Sequence, residues 1–233
     1  DEPVPSGINY DFWTGPVPQL PFNRNRFHGT VNWHWHYGAG DLGNDGIHWM
    51  DVARWVLGVG YPNEITGMGR KLYFDDDQQT PDTQVLTFNY KDKTLMYEQR
   101  LWNTYRMNGG QNGVEVYGTG GKAVCGYFDD SRRYGYQIYD EQDRLMHYEL
   151  ADGKEINPHY ASFVDRIRTR KTPKADIEVG HLSTALCHLG NTAGRLKRTL
   201  SFNPETESFL DDVEANKYLT REYRDHWSSK PFV

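Results

Sequence analysis

The apolar positions divide the chain into stretches of different period. Up to about Asn32 neither a helical nor a strand period is present, and Tyr10, Phe12, Trp13, Phe22 and Phe27 are scattered among Pro, Gly and Asn, which reads as a long arm pinned by its rings. An aromatic, strand-like piece from Val31 to Tyr37 follows, then glycines at 38, 40, 43 and 46, then a helix from about Asp45 to Leu57. Asn44 or Asp45 is suited to cap that helix and Gly58 to end it. Its apolar residues, Ile47, Trp49, Met50, Val52, Ala53, Val56 and Leu57, spread over most of the circumference and predict burial on more than one side.

From Glu64 to about Glu149 the pattern changes to short runs between polar turns. It predicts strands over Glu64 to Phe74, Gln84 to Tyr90, Thr94 to Trp102, Gly113 to Gly118, Lys122 to Tyr127, Tyr134 to Tyr139 and Leu145 to Leu150. The short Lys91-Asp92-Lys93 turn makes the second and third an antiparallel hairpin. Helical spacing returns after Gly153, with Asn157 as cap, Pro158 at the first helical position and Tyr160, Phe163, Val164 and Ile167 on one face. Val179, Leu182, Leu186, Leu189, Ala193, Leu196 and Leu200 then step by 3 and 4 residues as one apolar stripe, and a shorter helix runs from about Asp212 to Leu219. Helix, strands, then helices describe an α+β fold with a large, mostly antiparallel sheet, divided here as a linker and arm over 1–30 and a single domain over 31–233.

Composition narrows the function. The 233 residues carry 26 Lys plus Arg against 32 Asp plus Glu, a net charge of −6, which argues against a nucleic-acid or polybasic membrane binder. Mean hydropathy is −0.82 and no apolar run approaches the ~18 residues that span a bilayer, so no membrane partner is expected. Aromatic residues make up 14% of the chain, with 16 Tyr and 7 Trp, so many rings must line a surface or groove of the kind that sugars and protein partners use. Cys125 and Cys187 read as free buried thiols. The opening Asp1 to Pro5 reads as a linker, and with no initial Met the chain is expected to be a fragment or processed product.

Three constellations could carry chemistry. Gly38-Ala39-Gly40-Asp41-Leu42-Gly43 is a literal GxGxxG, but the preceding piece is bulky and polar and no second βαβ unit follows, so the glycines are expected to shape a loop for another purpose. His34, His36, Asp41 and His48 crowd together, and histidines two apart on a strand could share an ion; no Cys or Glu completes a metal pattern, and a ring-lined pocket suits the neighbours equally. Asn44 and His48 stand four apart at the predicted helix start, where the positive end of the dipole favours a neutral, proton-accepting imidazole. Equally, Asn44 could be only a cap and His48 a satisfied histidine.

Gly40-Asp41-Leu42-Gly43-Asn44-Asp45-Gly46-Ile47-His48-Trp49-Met50-Asp51-Val52-Ala53-Arg54-Trp55 resembles the signature helix of Gfo/Idh/MocA oxidoreductases, GGxxxDxGxHxxDLxxW. Tyr10-Asp11-Phe12-Trp13-Thr14-Gly15-Pro16 is similar to the family's YDxWxGP, and Gly180-His181-Leu182-Ser183-Thr184-Ala185-Leu186-Cys187-His188-Leu189-Gly190-Asn191 to its last long helix. The resemblance implies the C-terminal half of a two-domain enzyme, of the glucose-fructose oxidoreductase or dihydrodipicolinate reductase-like type, an open sheet with helices packed on one face. NAD or NADP would be bound mainly by an N-terminal Rossmann domain, which with the Glu-Lys-Pro lysine lies upstream of this chain. The family's DxxxH pair maps onto Asn44 and His48, with His48 exchanging a proton with a sugar hydroxyl or ketone and Asn44 orienting it. Asn44 replaces the acid and adds no charge to stabilise imidazolium; the adjacent Asp45 is a partial substitute. Arg26, Trp33, His34, His36 and Tyr37, with Asp45, are the expected substrate-binding residues, through ring stacking and hydroxyl hydrogen bonds. A small carbohydrate partner and a homo-oligomer formed through the sheet face are expected. Glycoside cleavage by transient oxidation, or a non-catalytic sugar-binding or assembly module, are the alternatives. A bacterial cytoplasm and a periplasm both suit the resemblance.

Overall fold

A computed structural model describes residues 1–103, 112–128, 133–152 and 156–224. In chain order they form α1 (Tyr10–Thr14), α2 (Ile47–Leu57), β1 (Glu64–Arg70), β2 (Thr83–Asn89), β3 (Thr94–Arg100), β4 (Gly113–Gly118), β5 (Gly121–Tyr127), β6 (Tyr134–Tyr139), β7 (Leu145–Leu150), α3 (Ile156–Thr169), α4 (Ile177–Leu196), β8 (Leu200–Asn203), β9 (Ser208–Phe209) and α5 (Val213–Asn216). The α+β class read from the sequence is the one observed. The strands form two antiparallel sheets rather than one, and each belongs to a separate compact unit. The first unit joins Asp1–Gly46, Tyr61–Trp102 and Cys187–Val233; the second joins Ile47–Gly60 and Asn103–Leu186.

In the first unit the sheet order is β3-β2-β1-β8-β9. Alternation on β2 buries Gln84, Leu86 and Phe88 and exposes Val85, and Ile65 of β1 lies opposite Phe88. The part of α4 from Cys187 onward buries Leu189 and Ala193, and Gly190 sets its approach to the sheet. A Cβ there would stand 2.7 Å from Leu86 Cδ1 and 2.8 Å from Phe88 Cζ, closer than carbon atoms pack. The predicted hairpin is present, with Tyr90 N–H donating to the Lys93 carbonyl at 2.9 Å and Asn89 paired with Thr94.

Two boundaries differ from the sequence pattern. The apolar stripe of α4 stops at Leu196 because Lys197 takes a left-handed φ of 55°; Leu200, the next member of the stripe, starts β8 and pairs with Ile65. The strand expected to reach Phe74 ends at Arg70, since the amides of Leu72, Tyr73 and Phe74 donate to the carboxylate of Asp82 at 2.8–3.0 Å instead of to a ladder. The arm is pinned as its rings suggest: Tyr10 stacks on Trp13 at 5.5 Å and meets Phe22 edge-on at 5.4 Å.

The second unit is a β4-β5-β6-β7 meander with α2 against β4. Trp49 of α2 meets the rings of Tyr127 and Tyr134 at 6.0 Å each. Arg54, 8% exposed, donates from Nε to Ser183 Oγ at 2.8 Å and from Nη1 to the Val59 carbonyl at 3.2 Å, while the Ser183 hydroxyl donates to Asp51. A buried guanidinium is thus matched by acceptors along its fork. The following helix, α3, starts at Ile156, one residue ahead of the expected Asn157 cap. Neither Cys125 nor Cys187 is in a disulfide; Cys125 is half-buried rather than buried, and burial pushes the Cys187 thiol up to about 12.

Asp82 is fully buried and also accepts the Thr83 hydroxyl at 2.7 Å. Burial raises its pKa, but the backbone donors and the hydroxyl outweigh that and hold it below the usual carboxylate range. The stability it contributes is therefore complete above the unfolded pKa of ~4 and is lost as pH falls through the lower folded value. Asp82→Asn is expected to cost about 2–3 kcal/mol at pH ~7, because an amide sets its own N–H groups against three backbone donors. Urea denaturation should show the gap to wild type closing at pH ~2; an unchanged gap there would contradict an ionised Asp82.

Candidate functional site

The candidate residues cluster between Arg26 and His48, so the local backbone decides what they can do. Val31 to Tyr37 is not a strand. A 3-10 helix covers His28–Trp33, and the N–H groups of Tyr37 and Gly38 both donate to the His34 carbonyl, at 3.0 and 2.8 Å. The Trp33 carbonyl accepts from Gln79 and Thr80, and the Trp35 amide donates to Gln79 Oε1 at 3.1 Å, so the backbone groups a ladder would need are spent on turns and side chains. His34 and His36 consequently share no strand face. His34 is 3% exposed with Nε2 on the Asn25 carbonyl at 3.0 Å, and His36 Nε2 is paired with the Pro18 carbonyl. Among the described residues no group of three or more His, Cys, Asp or Glu side chains is arranged to hold a metal.

The GxGxxG glycines are filled by the protein itself. A Cβ on Gly38 would fall 2.4 Å from Asn32 Cα, and one on Gly43 would fall 2.5 Å from Ala39 Cβ. Gly40 has φ +66° and faces Thr80 Cβ at 2.9 Å. These glycines are accounted for by close packing within the chain, and the Gly38 amide is already paired with the His34 carbonyl, as expected of a loop shaped for a purpose other than a dinucleotide cradle.

Helical backbone begins at Gly40 and passes through a π turn, Leu42–Gly46, before α2. Asn44 is therefore inside the helix and is not its cap, and the start has moved far enough upstream that His48 lies beyond the first turn, outside the reach of the dipole. Asn44 and Asp45 are exposed in the first unit, and His48 is exposed in the second. No hydrogen bond, ion pair or ring contact engages the His48 imidazole among the described residues, in contrast to His34 and His36. Upstream in the same helix, burial and then the neighbouring Asp45 charge push Asp41 up to about 6. Burial, then Asp41, also raises the pKa of Tyr97.

Of the remaining expected residues, Arg26 donates from Nη2 to Asp1 at 2.9 Å and to the Pro21 carbonyl at 2.8 Å, inside the arm. Tyr37 packs on Trp13 at 5.3 Å, and burial followed by the Tyr10 hydroxyl pushes it up to about 12. Trp33 is half-buried. A groove of about 720 Å³ in the first unit is lined by Leu20, Trp35, His36, Gln79 and Arg195. It takes in His36 but is built mainly from residues that sequence reasoning passed over: Trp35 carried only the general signal of a ring-rich loop, and Arg195 none.

With this geometry in place, comparison with known proteins gives a consistent result. The profile of the Gfo/Idh/MocA oxidoreductase family, C-terminal alpha/beta domain, matches residues 1–229. The chain belongs to this family. Among solved structures, the aldose-aldose oxidoreductase of Caulobacter crescentus, complexed with glycerol, is similar at a TM-score of 0.58 and 13% identity over 75% of this chain and 51% of that one. An NAD-binding protein of Listeria innocua gives 0.53 and 16% identity, over 80% of this chain and 52% of the other. A protein of Desulfitobacterium hafniense described as an NADPH-dependent oxidoreductase gives 0.53 and 14%, over 70% and 48%. At these identities the likeness is one of fold, and the chain spans about half the length of these relatives. No curated protein sequence matches it.

The raised Asp41 gives a prediction of definite sign. A carboxyl whose folded pKa exceeds the unfolded one adds stability below about pH 4 and loses it as pH rises through about 6. Asp41→Asn is accordingly expected to stabilise the protein by on the order of 2 kcal/mol at pH ~8 and by much less at pH ~4. Asp45→Asn should move the Asp41 titration downward, read by carboxyl NMR; a midpoint that stays in place would remove Asp45 as a cause.

Proposed function

We propose that this chain is the substrate-binding C-terminal part of an NAD(P)-dependent oxidoreductase acting on a hydroxyl or ketone of a sugar, sugar derivative or polyol. One observation carries the reading: at the family's histidine position, His48 presents an exposed imidazole with no hydrogen bond or ring contact among the described residues. A group that exchanges a proton with substrate needs a ring nitrogen within reach of the substrate hydroxyl, and the exposed His48 imidazole has both nitrogens open to it. The carbohydrate class is supported by the ring-rich composition and by the printed name of the Caulobacter relative; NAD(P) is supported by the names of the Listeria and Desulfitobacterium proteins. The nicotinamide, held by a domain outside this chain, would supply or accept hydride. His48 would move the hydroxyl proton, with Asn44 orienting the reacting group through its amide.

In the full-length protein, His48→Ala is expected to lower kcat by about 10²–10⁴ with a small change in KM. Asn44→Asp restores the acid of the family pattern and should shift the pH–rate profile while leaving the fold intact. Wild-type turnover in His48→Ala would remove His48 from the chemistry.

The homo-oligomer is part of the same proposal. The β4–β7 sheet exposes Tyr117, Leu145 and Tyr148 on the face opposite the one that meets Trp49, large side chains that a second copy would cover. Sedimentation at on the order of 10 µM should give a dimer or larger, a concentration at which a specific interface is normally occupied; a monomer there would count against it.

A further inference from the structure

The groove of the first unit has an electrostatic character that the proton-transfer reading does not use. Arg195, near the end of α4, has its guanidinium carbon 4.5 Å from the ring centroids of both Trp35 and Tyr218. These ring contacts hold the cation through π electrons without consuming any of its five N–H donors. Among the described residues, no carboxylate, carbonyl or hydroxyl accepts from Arg195. A second cation stands close by: Arg221 donates from Nη1 to the His36 carbonyl at 2.9 Å, and its charge reaches both Arg195 and His188. In a chain of net charge −6, one groove thus holds a fixed arginine with a second arginine beside it and no acidic lining residue.

The walls are built rather than incidental. Gln79 Oε1 accepts the Trp35 amide, which leaves the Gln79 side-chain NH₂ without an acceptor among the described residues. His36 is fixed through its ring on Pro18 and through its carbonyl on Arg221. Arginine donors held in place and lacking an acceptor match a planar oxyanion, which they bind through two parallel hydrogen bonds. The groove, about 720 Å³, is open to solvent and has room for a monosaccharide-sized molecule held at one end.

We propose that the groove lined by Leu20, Trp35, His36, Gln79 and Arg195 binds the carboxylate of a small sugar acid, with Arg195 as the carboxylate anchor. The carboxylate rests on the groove alone, and the sugar body rests on the proposed function. The measurement is equilibrium binding by calorimetry to the full-length protein without nicotinamide, using D-glucuronate, D-glucose and inorganic phosphate as probes. D-glucuronate should bind about tenfold or more tightly than D-glucose, and its affinity should fall as ionic strength rises. Arg195→Gln should lose about tenfold for D-glucuronate, and Arg195→Lys, which keeps charge but not the fork, should fall between. The anion site is read from D-glucuronate affinity in Arg195→Gln and the proton transfer from kcat in His48→Ala, so failure of the one is distinguishable from failure of the other. Equal affinity for D-glucose and D-glucuronate, tighter binding of phosphate, or unchanged affinity in a folded Arg195→Gln protein would each overturn the proposal.

Discussion

Asn191 of α4 is 6% exposed, and both ends of its amide are committed. Its Nδ2 donates to the Ala39 carbonyl at 2.7 Å, and its Oδ1 accepts from Gln84 Nε2 at 3.4 Å. A helix, a glycine-rich loop and β2, an interior strand of the sheet, are therefore tied through one buried side chain. Losing it would leave a carbonyl and an amide unpaired in a dry interior, a penalty larger than the worth of either bond. The loop it anchors runs into the helix that carries Asn44 and Asp45, and the strand it anchors carries the core residues Leu86 and Phe88. Gly190, the residue before Asn191, makes the close helix contact with Leu86 and Phe88 of the same strand.

Much of the architecture was legible from pattern alone because the relevant interactions are local. The β2–β3 hairpin follows from alternation on both sides of a short polar turn, and α4 follows from a stripe stepping by 3 and 4 residues. Errors arose where a local pattern met a distant partner. Leu200 continues the stripe in sequence, but its place is fixed by Ile65. Leu72 to Phe74 look like strand, but their amides belong to Asp82. The aromatic run before the glycines alternates like a strand, and yet its carbonyls and amides are taken up by turns and by the segment around Gln79. β9, only two residues long, is too brief to show any period, and the alternation of β8 over Leu200–Asn203 is masked by the helical stripe that Leu200 continues.

The site divides along the same line. Resemblance to a family singled out His48 and Asn44, and hydrogen bonding sorts the neighbouring histidines, since His34 and His36 are each spent on a backbone carbonyl. What no linear reading offered was Arg195, whose meaning depends on rings contributed by Trp35 and Tyr218 from opposite ends of the chain. Electrostatic character is a property of a neighbourhood, and that neighbourhood exists only after folding.

The glycines at 38, 40 and 43 carry a consequence for descent. A Cβ at each would meet this chain's own atoms at 2.4–2.9 Å, so packing alone is reason enough for glycine there. A nucleotide-binding signature can therefore persist indefinitely in lineages where no nucleotide ever touches it. Its persistence would record the tightness of a protein interior, and pattern searches that take it as inherited cofactor chemistry would be reading steric history as biochemical function.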